Sequence, residues 1–162
     1  MQPAAQRVVD AAADEGLSIE VREFPEGTRT ARDAAKAVGV EVGQIVKSLA
    51  FELDGEIVLA LVSGANRLDE VQLAQVAGAP DGRVGRAKPD AVREATGYAI
   101  GGVPPFGHAH PLRTFVDRDL LQYDVVWAAA GTPRHVFAVS PTDLVRVSGG
   151  LVCPALGSPE EA

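Results

Sequence analysis

The sequence predicts an α+β fold, a single domain on a mixed, mainly antiparallel sheet flanked by short helices. Three observations lead there. Leu53-Asp54-Gly55 separates two β-rich runs, and Asp-Gly between such runs signals a tight hairpin. Gly131-Thr132-Pro133 separates a second pair of strand-like runs. The helical stretches interrupt these pairs irregularly, with no repeat and no strand–helix–strand rhythm, which argues against a parallel, doubly wound sheet. A chain of 162 residues needs only one core. At 46% hydrophobic but only 5% aromatic, its interior must be filled by Ala, Val and Leu.

In chain order, Pro3 to Glu15 reads as a helix with Val8, Val9 and Ala12 on one side and Gly16 as its stop. Leu17 to Phe24 alternates like a strand. Thr30-Ala31-Arg32-Asp33 forms a capping box for an alanine-rich helix through Val38, closed by Gly39. Gln44 to Glu52 and Glu56 to Ser63 are the arms of the first hairpin. Asn66 is placed to cap a helix from Arg67 to Ala77, and Pro89 opens another that closes at Gly97. A short strand follows near Leu112 to Val116, and Asp124 to Ala130 pairs with Arg134 to Ser140 in the second hairpin. Ser140-Pro141-Thr142-Asp143 then caps a helix reaching Val147. The end of the chain from Gly157 reads as frayed.

Charge and composition exclude several functions. A net charge of −7 argues against an extended phosphate-binding surface, because Lys and Arg supply most non-specific affinity for nucleic acid. Two local groups remain, Arg83, Arg86, Lys88 and Arg93, and Arg29, Arg32 and Lys36, as either solvated faces or phosphate contacts. The single cysteine, Cys153, permits no intrachain disulfide or Cys-cluster metal site and suits a buried hydrophobe. With no signal-like apolar segment and no membrane-length run, the expectation is a cytoplasmic protein. His108, His110 and His135 are the only histidines, and His108-Ala109-His110 lacks the i, i+4 helical spacing of a zinc site, so no metal and no cofactor are expected. Nucleophile-elbow, phosphate-loop and dinucleotide fingerprints are missing as well.

The stretch Gly101-Gly102-Val103-Pro104-Pro105-Phe106-Gly107 cannot sit in a helix interior or a central strand. It is either a rigid connector or a shaped loop whose backbone lets a ligand approach closely. Lys47 interrupts the apolar row Ile45, Leu49, Phe51 of its strand, so it must snorkel to water, pair with a carboxylate, or reach into an anion-binding cavity. His135 shares a face with Phe137 and Val139 just after the Gly131 turn. It is either a satisfied structural histidine or a polar group at a pocket mouth.

The order of these features, Thr30 to Gly39, Ile45-Val46-Lys47-Ser48-Leu49, Thr96-Gly97-Tyr98 leading into the Gly101–Gly107 loop, Val116-Asp117, and Ala130-Gly131 with His135, resembles the YbaK/ProX (EbsC) family. The likeness covers nearly the whole chain. This family comprises stand-alone relatives of the editing domain of bacterial prolyl-tRNA synthetase, which hydrolyse mischarged aminoacyl-tRNA. The resemblance implies an editing domain over 1–156 and a tail over 157–162. It implies catalytic roles for Lys47, Gly101, Gly102, Pro105 and His135, with Lys47 holding the tRNA terminus and the loop backbone positioning the aminoacyl carbonyl. Thr30, Ser48, Val103, Phe106, Asp117 and Gly131 become the implied substrate-binding positions. The implied reaction is water attack on the ester of a small amino acid such as Ala or Cys carried by tRNA-Pro. The implied partners are the aminoacyl-tRNA 3′ end and, further, a tRNA synthetase, the chain itself being a monomer or weak homodimer. Around Ala128-Ala129-Ala130 there is no hydroxyl, although some cysteine-editing relatives carry serine there. Two competing readings are a non-catalytic module that binds aminoacyl-tRNA ends or a synthetase, and a small-molecule esterase.

Overall fold

A computed structural model describes residues 2–28 and 30–160. Arg29 of the basic group above lies outside the described residues, as do positions 161 and 162 of the expected tail. The centre is a five-stranded sheet, ordered β5-β2-β3-β6-β9, in which β2 (Val46–Leu53), β3 (Glu56–Ser63), β5 (Val84–Arg86), β6 (Thr114–Asp117) and β9 (Leu151–Cys153) take part. The expected Asp-Gly hairpin forms between β2 and β3, in register from Val46↔Ser63 to Leu53↔Glu56. Asp54 and Gly55 both have positive φ, as this two-residue turn requires. β3–β6 and β6–β9 are parallel and the remaining pairs antiparallel, so the sheet is mixed.

A second sheet, β1-β8-β7, is formed by β1 (Val21–Glu23), β8 (His135–Val139) and β7 (Val126–Ala129), all antiparallel. Alternation along β3 explains how the layers join. Leu59 and Leu61 face one core with Phe137, Val126 and Val8, while Val58, Ala60 and Val62 face another with Leu73, Phe115 and Leu156. A strand buried on both faces reads as an unbroken apolar run, which is what 57–62 shows. Helices α1 (Pro3–Asp14), α2 (Ala31–Val38), α3 (Glu70–Val76), α4 (Pro89–Thr96) and α5 (Pro141–Ser148) flank the sheets. The expected caps of α2 and α5 form: Thr30 Oγ1 accepts from Asp33 N at 3.0 Å and Ser140 Oγ from Asp143 N at 3.1 Å.

Two expectations need correction. Asn66 is not a helix cap, because Asn66–Leu68 forms strand β4, and Asp69 caps α3 by accepting from Gln72 N. The partner of β4 is β10 (Gly157–Pro159), so the segment expected to fray is paired, and Leu156 at the expected domain boundary is fully buried. Both errors share one cause. The β4–β10 ladder joins residues about ninety positions apart, and no local signal reports it. Among the described residues no helix is long and apolar enough to cross a membrane.

Candidate functional site

Strand β5 covers the edge of β2 only at Phe51–Leu53, and just ahead of β2 a single bridge joins Ile45 to Trp127 in β7. Between them the main chain of β2 borders a cavity of about 670 Å³. Its apolar lining comes from Val46, Leu49, Val103, Ala128, Ala129 and Val136, and its polar lining includes Thr30, Lys47 and Ser48. Arg32 and Arg86 add two cations against one carboxylate, Glu160, making the mouth locally positive on a chain of net charge −7. Among the described lining residues there is no cysteine and no histidine.

Of the three readings open for Lys47, the carboxylate pair is present, and the side chain also borders the cavity. Its Nζ donates to the Asn66 carbonyl and stands 3.6 Å from Glu160 Oε2, yet the residue also lines the cavity. Asn66 is itself pinned. Its amide donates to Asp117 Oδ2 at 2.9 Å and Asp119 Oδ2 at 2.7 Å, and the buried Asp117 also accepts from Ser63 N at 3.1 Å. Ser48 Oγ is enclosed and has no hydrogen-bond partner among the described residues.

The Gly101–Pro105 loop contributes to the cavity through Gly101 and Val103. Gly101 has φ +88°, and a Cβ there would meet Pro133 Cγ at an ordinary 3.5 Å. Gly102 is tighter, since a Cβ would come within 2.7 Å of Thr132 Cα. Its N–H donates to the Ala99 carbonyl at 3.0 Å, so it is not free for a ligand. Behind the loop, His108 Nε2 lies 2.7 Å from the Pro104 carbonyl, to which it donates, while burial holds its pKa below the ordinary histidine value.

The remaining implied site residues do not line the cavity. Pro105 and Phe106 are buried, with Phe106 packed edge-on against Phe137 at 5.8 Å between ring centroids. Gly131, at φ +97°, lies so close to α1 that a Cβ would reach the Ala4 carbonyl oxygen at 2.6 Å. Asp117 sits behind β3 and β4, against Asn66. His135 is 5% exposed, with Nδ1 2.5 Å from Thr132 Oγ1 and Nε2 3.3 Å from Glu23 Oε2, while its neighbour Val136 forms the wall. Both ring nitrogens are thus engaged.

Conversely, Trp127 and Glu160 line the cavity without having been singled out, while Arg86 and Arg32 line it as members of the two basic groups noted in the sequence. Trp127 is the chain's only tryptophan, in a strand with alternating burial, and Arg22 stacks 5.3 Å from its ring. That rarity was the one available signal. Arg86 belongs to the three-residue β5, too short to read, and Glu160 follows β10.

Comparison with known proteins agrees with this architecture. The protein YwhH of Bacillus subtilis (strain 168) is 32% identical over 130 residues, covering 80% of this chain and 81% of its own. Proline–tRNA ligase of Solidesulfovibrio magneticus is 32% identical over 142 residues, covering 82% of this chain but 24% of the ligase. A crystal structure described as that of a candidate trans-editing enzyme for prolyl tRNA synthetase superposes with a TM-score of 0.89 at 47% identity, over 100% of this chain and 99% of the other. The profile of the aminoacyl-tRNA editing domain matches residues 25–147, and the chain belongs to that family.

Proposed function

We propose that the chain is a trans-editing aminoacyl-tRNA deacylase that hydrolyses the ester between a small amino acid and the terminal ribose of tRNA. The observation that carries this is the cavity itself: a small apolar wall beside a cationic rim, with no thiol or imidazole among its described lining residues. Such a site suits an aminoacyl ester whose side chain meets Ala128, Ala129 and Val136 and whose nucleotide meets Lys47, Arg32 and Arg86. Relatedness to the ligase and to the candidate trans-editing enzyme supports Ala or Cys on tRNA-Pro as the charged species.

In this reading water is the nucleophile. Its oxygen adds to the aminoacyl carbonyl carbon, the C–O bond to the ribose breaks, and the proton passes to the ribose oxygen, releasing free amino acid and tRNA. Main-chain N–H groups at Gly101 and Val103 stabilise the developing oxyanion. The N–H of Gly102 is already engaged. Lys47 anchors the terminal nucleotide rather than acting as a base. Gly102, Pro105, Phe106, Gly131 and His135 shape the loop and the turn behind it, and Thr30 caps the helix at the rim.

The test is deacylation of Ala-, Cys- and Ser-charged tRNA beside a free aminoacyl ester. Hydrolysis of a charged tRNA with little turnover of the free ester is expected. Binding without hydrolysis would instead make the chain a recognition module, and equal turnover of the free ester would make it an esterase.

A further inference from the structure

We propose that Asn66 is the positioning residue of Lys47, and that Asp117 serves the site through Asn66 rather than by touching the substrate. The proposal rests on Lys47 as the anchor of the nucleotide. A lysine stem is long and flexible, and an ammonium with three donors points nowhere until acceptors are fixed around it. Here one acceptor is the Asn66 carbonyl and a second the exposed Glu160 carboxylate, leaving a donor for a ligand.

The β4–β10 pairing of Asn66 with Pro159 sets the main chain, and a chain of buried contacts from the Asn66 side chain holds its carbonyl toward Lys47. Asn66 is 4% exposed and Asp117 1%. The amide spends both hydrogens on carboxylates, 2.9 Å to Asp117 Oδ2 and 2.7 Å to Asp119 Oδ2. Asp117 Oδ2 takes Ser63 N, at the other end of the same turn, and Asp117 Oδ1 takes Asp119 N at 3.0 Å. One carboxylate therefore clamps both ends of the Ser63–Asn66 turn, and the carbonyl that holds Lys47 emerges from it. Only a short side chain with two donors fits between two carboxylates. An aspartate would add a third negative charge, and an apolar residue would leave Asp117 buried without this partner.

The experiment is a double-mutant cycle joined to lysine NMR. Asn66→Ala, Lys47→Ala and the double variant are compared for kcat/KM on Ala-tRNA, per folded molecule. Asn66→Ala is expected to lower kcat/KM by about tenfold or more, as for a lost hydrogen bond to a charged group, and to add nothing in the Lys47→Ala background. Equal losses in both backgrounds would overturn the proposal. Lys36, Lys47 and Lys88 are the chain's lysines, so the Lys47 ε-methylene signals can be assigned by difference. In the ligand-free protein they are expected to move to free-lysine positions in Asn66→Ala, and unchanged signals would equally overturn it. This arm needs no activity: if Lys47→Ala retains full rate while the signals still move, the anchor reading fails and the positioning stands. Should Asn66→Ala fail to fold, Asp119→Ala removes one of the amide's two acceptors at an exposed residue. It is expected to shift the same signals to a lesser degree.

Discussion

Gly102 is packed so closely on Gly131 that a Cβ on Gly102 would stand 2.8 Å from both the carbonyl carbon and the carbonyl oxygen of Gly131. The Gly/Pro loop and the turn between β7 and β8 are therefore a single packed unit, with α1 on its far side. Gly102→Ala must force backbone apart, an overpacking cost of about 1–3 kcal/mol. Gly101→Ala has room beside Pro133 and suffers only from its positive φ, about 1 kcal/mol. Thermal unfolding of both variants is expected to show the larger loss for Gly102→Ala. The reverse order would mean that the loop does not rest on the turn in this way.

Lys47 and Arg86 border the cavity from two neighbouring strands, with Arg32 across the mouth, while the chain as a whole carries −7. Contact with nucleic acid should then be confined to this rim. Binding of aminoacyl-tRNA is expected to weaken with salt by a slope of about −0.7 per phosphate contacted, for roughly one to three phosphates. Lys47→Ala is expected to make the slope shallower by about 0.7. The part-exposed pair with Glu160 should itself contribute no more than about 1 kcal/mol to stability, the bond to the Asn66 carbonyl being lost with it in Lys47→Ala. A steep slope unaltered by Lys47→Ala would place the nucleic-acid contact elsewhere.

Features set by neighbours in sequence were legible: the Asp-Gly hairpin, the Thr30 and Ser140 caps, and the Gly131 turn. Lys47 also stood out, because a cation in an apolar strand row needs a reason. Its surroundings did not. Asn66 has the short polar side chain of a helix cap, and only pairing with a segment about ninety residues on turns it into a strand residue whose carbonyl meets Lys47. His135 shows the opposite limit. Its place after the turn matched either reading, and what distinguishes them, Glu23 on the adjacent β1, is again a long-range partner.

His108 ties the Pro104 carbonyl to the end of the loop through its Nε2–H. Burial depresses its pKa, the backbone bond offsetting this only in part, so the folded protein favours the neutral ring. An unfolded chain takes up this proton near its ordinary value, about 6.5, whereas the folded one resists it to lower pH. The contribution of His108 is thus complete above about pH 6.5 and is lost as pH falls from there toward the folded pKa. His108→Gln keeps a neutral donor without the titration. The stability difference between wild type and this variant, followed by denaturant unfolding from pH 7.5 downward, is expected to shift in favour of the variant on acidification. Parallel curves would show that His108 titrates alike in both states.

Ser48 offers a separation of stability from activity. Its hydroxyl is enclosed on a residue that lines the cavity, and it has no hydrogen-bond partner among the described residues. A buried hydroxyl without a partner costs about 1–3 kcal/mol of desolvation, so removing it should not destabilise the protein. Ser48→Ala is expected to hold or raise the melting temperature, the small methyl fitting beside Val46 and Ala50 on the same face of β2. A hydroxyl kept at that cost is explained if the ligand supplies the missing partner. On that account Ser48→Ala lowers kcat/KM for the cognate aminoacyl-tRNA by roughly tenfold, since the ligand's group is left unpaired in turn. The measurement is melting temperature beside kcat/KM for the one variant. A lowered melting temperature with unchanged kcat/KM would show that the hydroxyl serves the fold, and would remove Ser48 from the substrate-binding wall.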